Sequence, residues 1–415
     1  MTAVLEQESA ELFRAHPVAR RAEPAHIPAL DGIRGLAILL VMMTHFILIQ
    51  KGSKIDVIVG AIGRFGWSGV DLFFVLSGFL ITGILYDSKN SEHYFRNFYA
   101  RRTLRIFPLY YFVVFISLVV LPRLGSFGEH FGHIGKTWPT YWLYLSNFAI
   151  AFTKDINHGV LALTWSLAIE EQFYLLWPLI VLSCRRETLM KICGIAVAVA
   201  ILSRTALVLA GPAQWLPWVP YNITICRMDG LAIGAFVALA LRGPNSIRSL
   251  LRPAKFALPI CIIALFGIIG YHRSMHWIGG PGQTIGYTVL GLIFASILVL
   301  TLNDAGSGVA RRFFTQRWLR FLGKYSYGLY LFHFPAHIII HDWVYGPEQF
   351  LSIGGSRVPG QLIYIVLSFA LSLAMALLSW HLLEKQFLAL KRFFPTTARD
   401  LAPVSIQSTI AAASI

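Results

Sequence analysis

Long apolar runs alternate with short polar ones along the whole chain. Ten runs come close to the ~20 residues a helix needs to cross a bilayer. They cover roughly 30–49, 67–86, 106–122, 160–182, 192–211, 223–241, 256–271, 284–302, 326–343 and 362–382. In hydrocarbon, each backbone segment must satisfy its own hydrogen bonds, so these runs predict helices. The expected fold is all-α: a polytopic membrane protein of about ten transmembrane helices. An aromatic stretch, "WPTYWLYLSNFAIAF" (138–152), competes to be an eleventh.

Charge decides against it. With ten spans and the N-terminus inside, 25 of the 35 Lys and Arg fall in inner segments. Nine fall in outer loops, Arg227 among them, and Arg204 lies within a span. This parity obeys the positive-inside rule. A spanning 138–152 would invert every later loop. That stretch is therefore expected to lie at the outer surface or to re-enter, with both termini cytoplasmic. The expected localisation is the inner, cytoplasmic membrane. The boundaries drawn are a disordered tail over 1–29, a transmembrane domain over 30–385, and a mostly disordered tail over 386–415.

Composition agrees. Hydrophobic residues make up 56% of the 415 and charged residues only 13%, with mean hydropathy +0.63. The net charge of +15 is then topological, orienting the chain and touching anionic lipid. Nucleic-acid binding would need a soluble basic domain, which the pattern leaves no room for. The four cysteines are scattered, with no CxxC spacing, so neither a disulfide framework nor a metal knuckle is expected. No signal peptide is read in the first 29 residues, which carry four Glu and no apolar core before the first span.

An ionisable group left facing lipid costs several kcal/mol, so those inside spans face a cavity or a partner. They are His45, Asp71, Glu170, Glu171, Arg204, Asp229, His333 and His337. In "RGLAILLVMMTH" (34–45), eleven positions return almost to the same helix face, with ~16 Å between the ends. Arg34 would sit at the cytoplasmic mouth and His45 deep toward the outer half. One wall can then hold an anion at its entrance and a proton acceptor at its reacting end. A packing histidine is the competing reading.

In "RRTLRIFPLYY" (101–111), Arg102 and Arg105 are one turn apart at the expected start of the third span. Pro108 would fall in the first turns, where proline is tolerated. Both arginines suit a phosphate clamp, although plain anchoring needs only their charge. "TWSLAIEEQFYLLWP" (164–178) puts Ser166, Glu170, Phe173, Tyr174 and Trp177 on one stripe. Two adjacent carboxylates in mid-span are hard to explain as packing. Glu171 points about 100° away and is expected to pair with an arginine. Ser166 fits a nucleophile beside a base or a small hydrogen-bonding residue. Ser77 and its neighbouring glycines in "GVDLFFVLSGFLIT" (69–82) read as packing. The glycine-rich "GAIGRFG" (60–66) follows no strand and is rejected as a phosphate loop. His333, His337 and His341 recur at i+4, but Pro335 interrupts them and no metal is expected.

Six ordered motifs resemble the acyltransferase-3 family of bacterial membrane O-acyltransferases. They are "LDGIRGLAILLVMMTHF", "GVDLFFVLSGFLIT", "RRTLRIFPLYY", "TWSLAIEEQFYLLWP", "CRMDGLAIGA" (226–235) and "LGKYSYGLYLFHFP" (322–335), within 28–385. The resemblance implies an enzyme that acylates sugar hydroxyls, commonly with acetyl from cytoplasmic acetyl-CoA. Acceptors in the family include lipopolysaccharide, exopolysaccharide, peptidoglycan, nodulation signals and macrolide sugars. The family's arginine-x10-histidine element falls on Arg34 and His45, its paired arginines on Arg102 and Arg105, and its acidic position on Glu170. Many relatives carry a C-terminal esterase-like domain; here a short tail is expected to follow the last span.

The combined expectation is an integral-membrane O-acyltransferase. His45 is the general base, with Glu170 across the cavity to orient the imidazole or bind the sugar. Arg34, Arg102 and Arg105 hold the phosphates of acetyl-CoA, and Asp71, Ser166, Asp229 and His333 contact substrate. The expected partners are acetyl-CoA, a glycan acceptor and the bilayer. Direct transfer and an acyl-enzyme on His45 or Ser166 both fit. The rival is a proton-coupled transporter of glycan or lipid-linked sugar, with His45, Glu170 and Asp229 as the relay.

Overall fold

The computed structural model describes residues 27–49, 51–129, 134–152, 158–210, 218–244, 246–272, 280–303 and 308–395. The expected disorder of 1–29 and 386–415 falls largely outside these residues. Helices dominate: α1 (Pro28–Phe46), α2 (Lys54–Phe65), α3 (Gly69–Asp87), α4 (Tyr94–Phe115), α5 (Trp138–Trp142), α6 (Ser146–Phe152) and α7 (Thr164–Ser183). They continue with α8 (Arg186–Leu209), α9 (Thr224–Ala240), α10 (Ser246–His272), α11 (Tyr287–Leu302), α12 (Arg317–Lys324), α13 (Ser326–Ile339) and α14 (Val358–Ser379). Among the described residues the only β pairing is an isolated bridge between Ile353 and Ser356.

Among the described residues, eight helical segments are long and apolar enough to cross a membrane. The other two expected spans, 160–182 and 326–343, also form helices, α7 and α13 with the π turn Ile340–Val344 that continues it. These two carry Glu170, Glu171, His333 and His337, the polar groups that dilute their apolarity. The stretch 138–152 does not form one helix. It breaks into α5 and α6 at Tyr144, whose φ of 53° is left-handed and stops helix propagation. Tyr110 and Tyr111 donate to the carbonyls of Tyr141 (2.7 Å) and Trp142 (3.1 Å). Gln172 donates to the Tyr144 carbonyl at 3.0 Å, which pins the break to α7.

Close backbone contact organises the centre. A Cβ on Gly78 of α3 would stand 1.9 Å from the Leu231 carbonyl of α9, and one on Gly234 would stand 1.9 Å from the Val75 carbonyl. Without a hydrophobic driving force between helices in lipid, such small-residue seams are what allow tight association. The apolar windows of the segments holding α3, α9 and α11 are accordingly 72–78% buried, whereas those of α8, α10 and α14 are 17–22% buried. The outer helices turn Leu202, Ile263 and Val366 outward, as lipid requires. A second seam joins α1 to α12: a Cβ on Gly35 would meet the Leu319 carbonyl at 2.0 Å, and one on Gly323 the Asp31 carbonyl at 1.8 Å.

Two expectations are corrected. Helix α4 begins at Tyr94, well before 106, so Arg102, Arg105 and Pro108 lie in its interior rather than its first turn. Arg227 is not in a loop; it lies within α9 and is 1% exposed. Helix and turn continue past 386 to Phe393 and dock on α4. Arg101 donates there to the carbonyls of Lys391 (3.3 Å) and Phe394 (3.0 Å).

Candidate active site

A cavity of about 110 Å³ opens between α1, α3, α4, α7 and α13. Arg34, Arg102 and Arg105 line it, together with Ser77, Ser166, Glu170, Tyr174, Tyr327 and Tyr330. The helical stripe on α7 delivers Ser166, Glu170 and Tyr174 to one wall, as its i, i+4, i+8 spacing requires. Ser77 donates to Glu170 Oε1 at 2.5 Å, and Tyr174 donates to Ser77 Oγ at 3.2 Å. The Arg102 guanidinium lies 5.7 Å from the centre of the Tyr174 ring, within cation–π range. Arg34 is tied to Asp31 at 3.2 Å and still lines the cavity. The site is therefore basic at one end, with a carboxyl and hydroxyls further in.

At the far end Ser166 Oγ and the Tyr330 hydroxyl are 2.6 Å apart, and Tyr330 also donates to the Leu163 carbonyl at 2.9 Å. Among the described residues no base contacts Ser166, whose hydroxyl partners are Tyr330 and the Leu163 carbonyl. Behind Tyr330 stands His333, 5.9 Å away between ring centres, and behind that His45 at 5.0 Å. His45 is not part of the cavity lining; the cavity stops one layer of side chains short of it.

Carbonyl partners fix both imidazole tautomers. His333 Nδ1 lies 2.8 Å from the Tyr330 carbonyl and 3.1 Å from that of Leu329. A carbonyl can only accept, so Nδ1 carries the proton and Nε2 holds a lone pair. His45 Nδ1 lies 2.9 Å from the Val41 carbonyl and 3.3 Å from that His333 Nε2. Its proton is shared between two acceptors, which leaves His45 Nε2 as the open, basic nitrogen. His333 is thus a partner of His45 rather than a lining residue. Glu170 does not orient His45: among the described residues its hydrogen bond runs to Ser77.

Asp71 and Asp229 are not in the cavity. Arg227 Nη2 binds Asp71 Oδ1 at 2.9 Å, and Arg204 Nη2 binds Asp229 Oδ2 at 2.9 Å; all four side chains are at most 4% exposed. Thr288 adds a hydrogen bond to Asp229 at 2.6 Å. Asp229 is engaged by Arg204 and Thr288 and ties helices together, whereas Asp71 Oδ2 and Arg227 Nε and Nη1 are buried without a hydrogen bond among the described residues. Among the described residues Glu171 makes no ion pair, and its Oε1 is buried without a hydrogen bond. His337 pairs with the Tyr364 hydroxyl at 2.5 Å and His341 with Asp342.

Sequence reasoning missed the site roles of Ser77, Tyr327 and Tyr330. The signal was present in "YGLYLFH": Tyr327, Tyr330 and His333 recur every third residue and so share one face of α13.

Cations, a carboxyl and, beyond the end of the cavity, a fixed imidazole thus follow one another through the bundle. Comparison with known proteins identifies relatives of the chain. The peptidoglycan O-acetyltransferase OatA of Listeria monocytogenes is 28% identical over 335 residues, covering 75% of this chain and 49% of that protein. The putative peptidoglycan O-acetyltransferase YrhL of Bacillus subtilis is 28% identical over 386 residues, covering 87% and 54%. The O-acetyltransferase OatA of Staphylococcus aureus is 25% identical over 377 residues, covering 87% and 57%. The chain thus spans about half the length of these relatives. No solved structure matches it. The acyltransferase domain of the acyltransferase-3 family matches residues 27–377, and the chain belongs to that family.

Proposed function

We propose that this protein is a multi-pass membrane O-acyltransferase that transfers acetyl from acetyl-CoA to a hydroxyl of a surface or exported glycan. The relatives' names make a peptidoglycan sugar the first acceptor to test. The observation that carries the reading is the path from Arg34, Arg102 and Arg105, past Glu170, to the Tyr330–His333–His45 stack. Planar guanidiniums suit the phosphates of a CoA thioester, and a transporter has no use for such a clamp.

In this reading the donor enters from the cytoplasmic side, on the inner membrane, and its thioester reaches the Ser166–Tyr330 layer. The acceptor approaches His45 from the opposite side of that layer. Tyr330 turns aside to join the two. His45 Nε2 removes the acceptor's hydroxyl proton while the oxygen attacks the thioester carbonyl. The tetrahedral intermediate collapses to the acetyl ester, and the thiolate leaves as CoA, taking up a proton. His333 and the Val41 carbonyl hold the reactive tautomer throughout. Glu170 fixes Ser77 and counters the arginines at the donor arm.

The test is acetyl transfer by purified protein in lipid nanodiscs, from labelled acetyl-CoA to peptidoglycan fragments and other glycans. Mass spectrometry of surface glycans from a deletion strain identifies the acceptor by its missing acetyl groups. No turnover of acetyl-CoA with any glycan, and intact acetylation in the deletion strain, would overturn the reading.

A further inference from the structure

A second cavity, of about 610 Å³, lies outside the first and shares Arg34, Arg105 and Tyr327 with it. Helix α12 supplies its floor. Arg317, Arg320 and Lys324 follow one another at i, i+3 and i+7, which puts them on one face. The α1–α12 glycine seam brings that face beside Arg34. Five basic side chains thus line the vestibule against two carboxylates, Asp31 and Glu384. Both carboxylates have partners, Arg34 for Asp31 and Ser379 for Glu384. Arg320 Nε is buried and, among the described residues, has no hydrogen-bond acceptor. Leaving such a donor unmet is costly unless a ligand meets it. Trp380 completes the wall, with Lys324 Nζ 5.3 Å from its ring centre.

The two volumes differ in a way that matters. Sites for whole small ligands are roughly 300–1,000 Å³. The vestibule lies in that range; the inner cavity, at about 110 Å³, admits only a thin arm. A wide cationic chamber opening into a narrow passage matches a donor with a phosphorylated nucleotide head and a linear thioester tail. We propose that the vestibule is the nucleotide subsite of the donor. Its 3′-phosphate lies on Arg317, Arg320 and Lys324, the adenine packs by Trp380, and its diphosphate reaches the guanidiniums of Arg34, Arg105 and Arg102. Arg34 and Arg105 stand at the neck where the arm begins. This rests on the donor reading above and makes α12 the element that selects a nucleotide-bearing thioester over a short one.

The experiment compares three donors on the full-length protein: acetyl-CoA, its 3′-dephospho form, and S-acetyl-N-acetylcysteamine, a thioester without a nucleotide. Wild type should prefer acetyl-CoA in KM by about tenfold or more, the scale of a charge-assisted hydrogen bond. Arg320→Gln and the Arg317→Gln/Lys324→Gln pair should narrow that preference, acting on KM rather than kcat. Arg320→Lys, which keeps the charge but lacks Nε, should fall between. Melting temperature and monodispersity exclude misfolded variants from the comparison. If wild type turns over none of the three donors, the donor reading itself has failed. If wild type uses acetyl-CoA and the variants keep its full preference, the subsite assignment is wrong. Running the assay in neutral detergent and in vesicles with and without anionic lipid separates a headgroup from the nucleotide. A defect confined to anionic vesicles would mean that α12 binds lipid phosphate, and would also overturn the assignment.

Discussion

His45 has one ring nitrogen committed to Val41 and His333 and the other open. Its removal should therefore abolish proton abstraction while sparing donor binding. His45→Ala is expected to lower turnover by roughly 10²–10⁴, the contribution of a positioned acid–base group. Calorimetry or protection by CoA should still report binding, and near-normal turnover by a folded variant would sink the assignment. The buried ion pairs give a contrasting expectation. Asp229→Ala strands Arg204 without its carboxylate in the interior, which should cost about 3–5 kcal/mol of stability. The double change Arg204→Met/Asp229→Leu should recover much of that loss in a thermal melt, as apolar replacement of a buried pair often does. A substrate-binding or relay role for Asp229 would show the reverse, with stability kept and activity lost in both.

The interior position of Arg102 and Arg105 in α4 changes the argument about that helix. The dipole's favourable field is confined to the first turn, and α4 starts at Tyr94, so the dipole is not what recommends these residues for a phosphate. Placement is: both line the inner cavity, one helical turn apart. Anchoring needs only charge, whereas a clamp needs the planar fork. Arg102→Lys and Arg105→Lys should each raise the KM for acetyl-CoA on the order of 10- to 150-fold, the range of a charge-assisted hydrogen bond. Normal donor KM in both variants, with orientation in the membrane verified, would reduce the pair to anchors. Helix α2 carries a different lesson. Its N-terminal capping box, Ser53 with Asp56, is a sequence-level start signal. The expected outer loop over that region obscured it.

Across the whole molecule, the break at Tyr144 supports the expected topology. Helices of five and seven residues rise about 8 and 10 Å, far short of the bilayer core of about 30 Å. Single cysteines near Gly125 and Gly159, in a background lacking the four native ones, should therefore label from the same outer side with an impermeant thiol reagent. Labelling from opposite sides would mean that 138–152 crosses, and would invert every later loop. Moving Arg227 from loop to core removes one charge from the outer count and so sharpens the asymmetry.

The apolar pattern by itself determined the helical class and the positions of all ten expected helices, because lipid demands internal backbone bonding and about 20 apolar residues per crossing. It also marked Arg34, Arg102, Arg105, Ser166 and Glu170, since polar groups in lipid need a reason to be there, and these five do line one cavity. What those groups touch was beyond it. Asp71, Arg204 and Asp229 look like site residues one at a time; only the packing of α3, α8, α9 and α11 turns them, with Arg227, into ion pairs. His333 became a partner of His45 because α13 crosses α1 at that level, 288 residues away in sequence. The basic face of α12 lines the outer cavity beside Arg34 because glycines let its backbone touch α1. Periodicity assigns a residue to a face of its own helix; which neighbour that face meets depends on contacts between segments distant in the chain, and only the tertiary structure decided that.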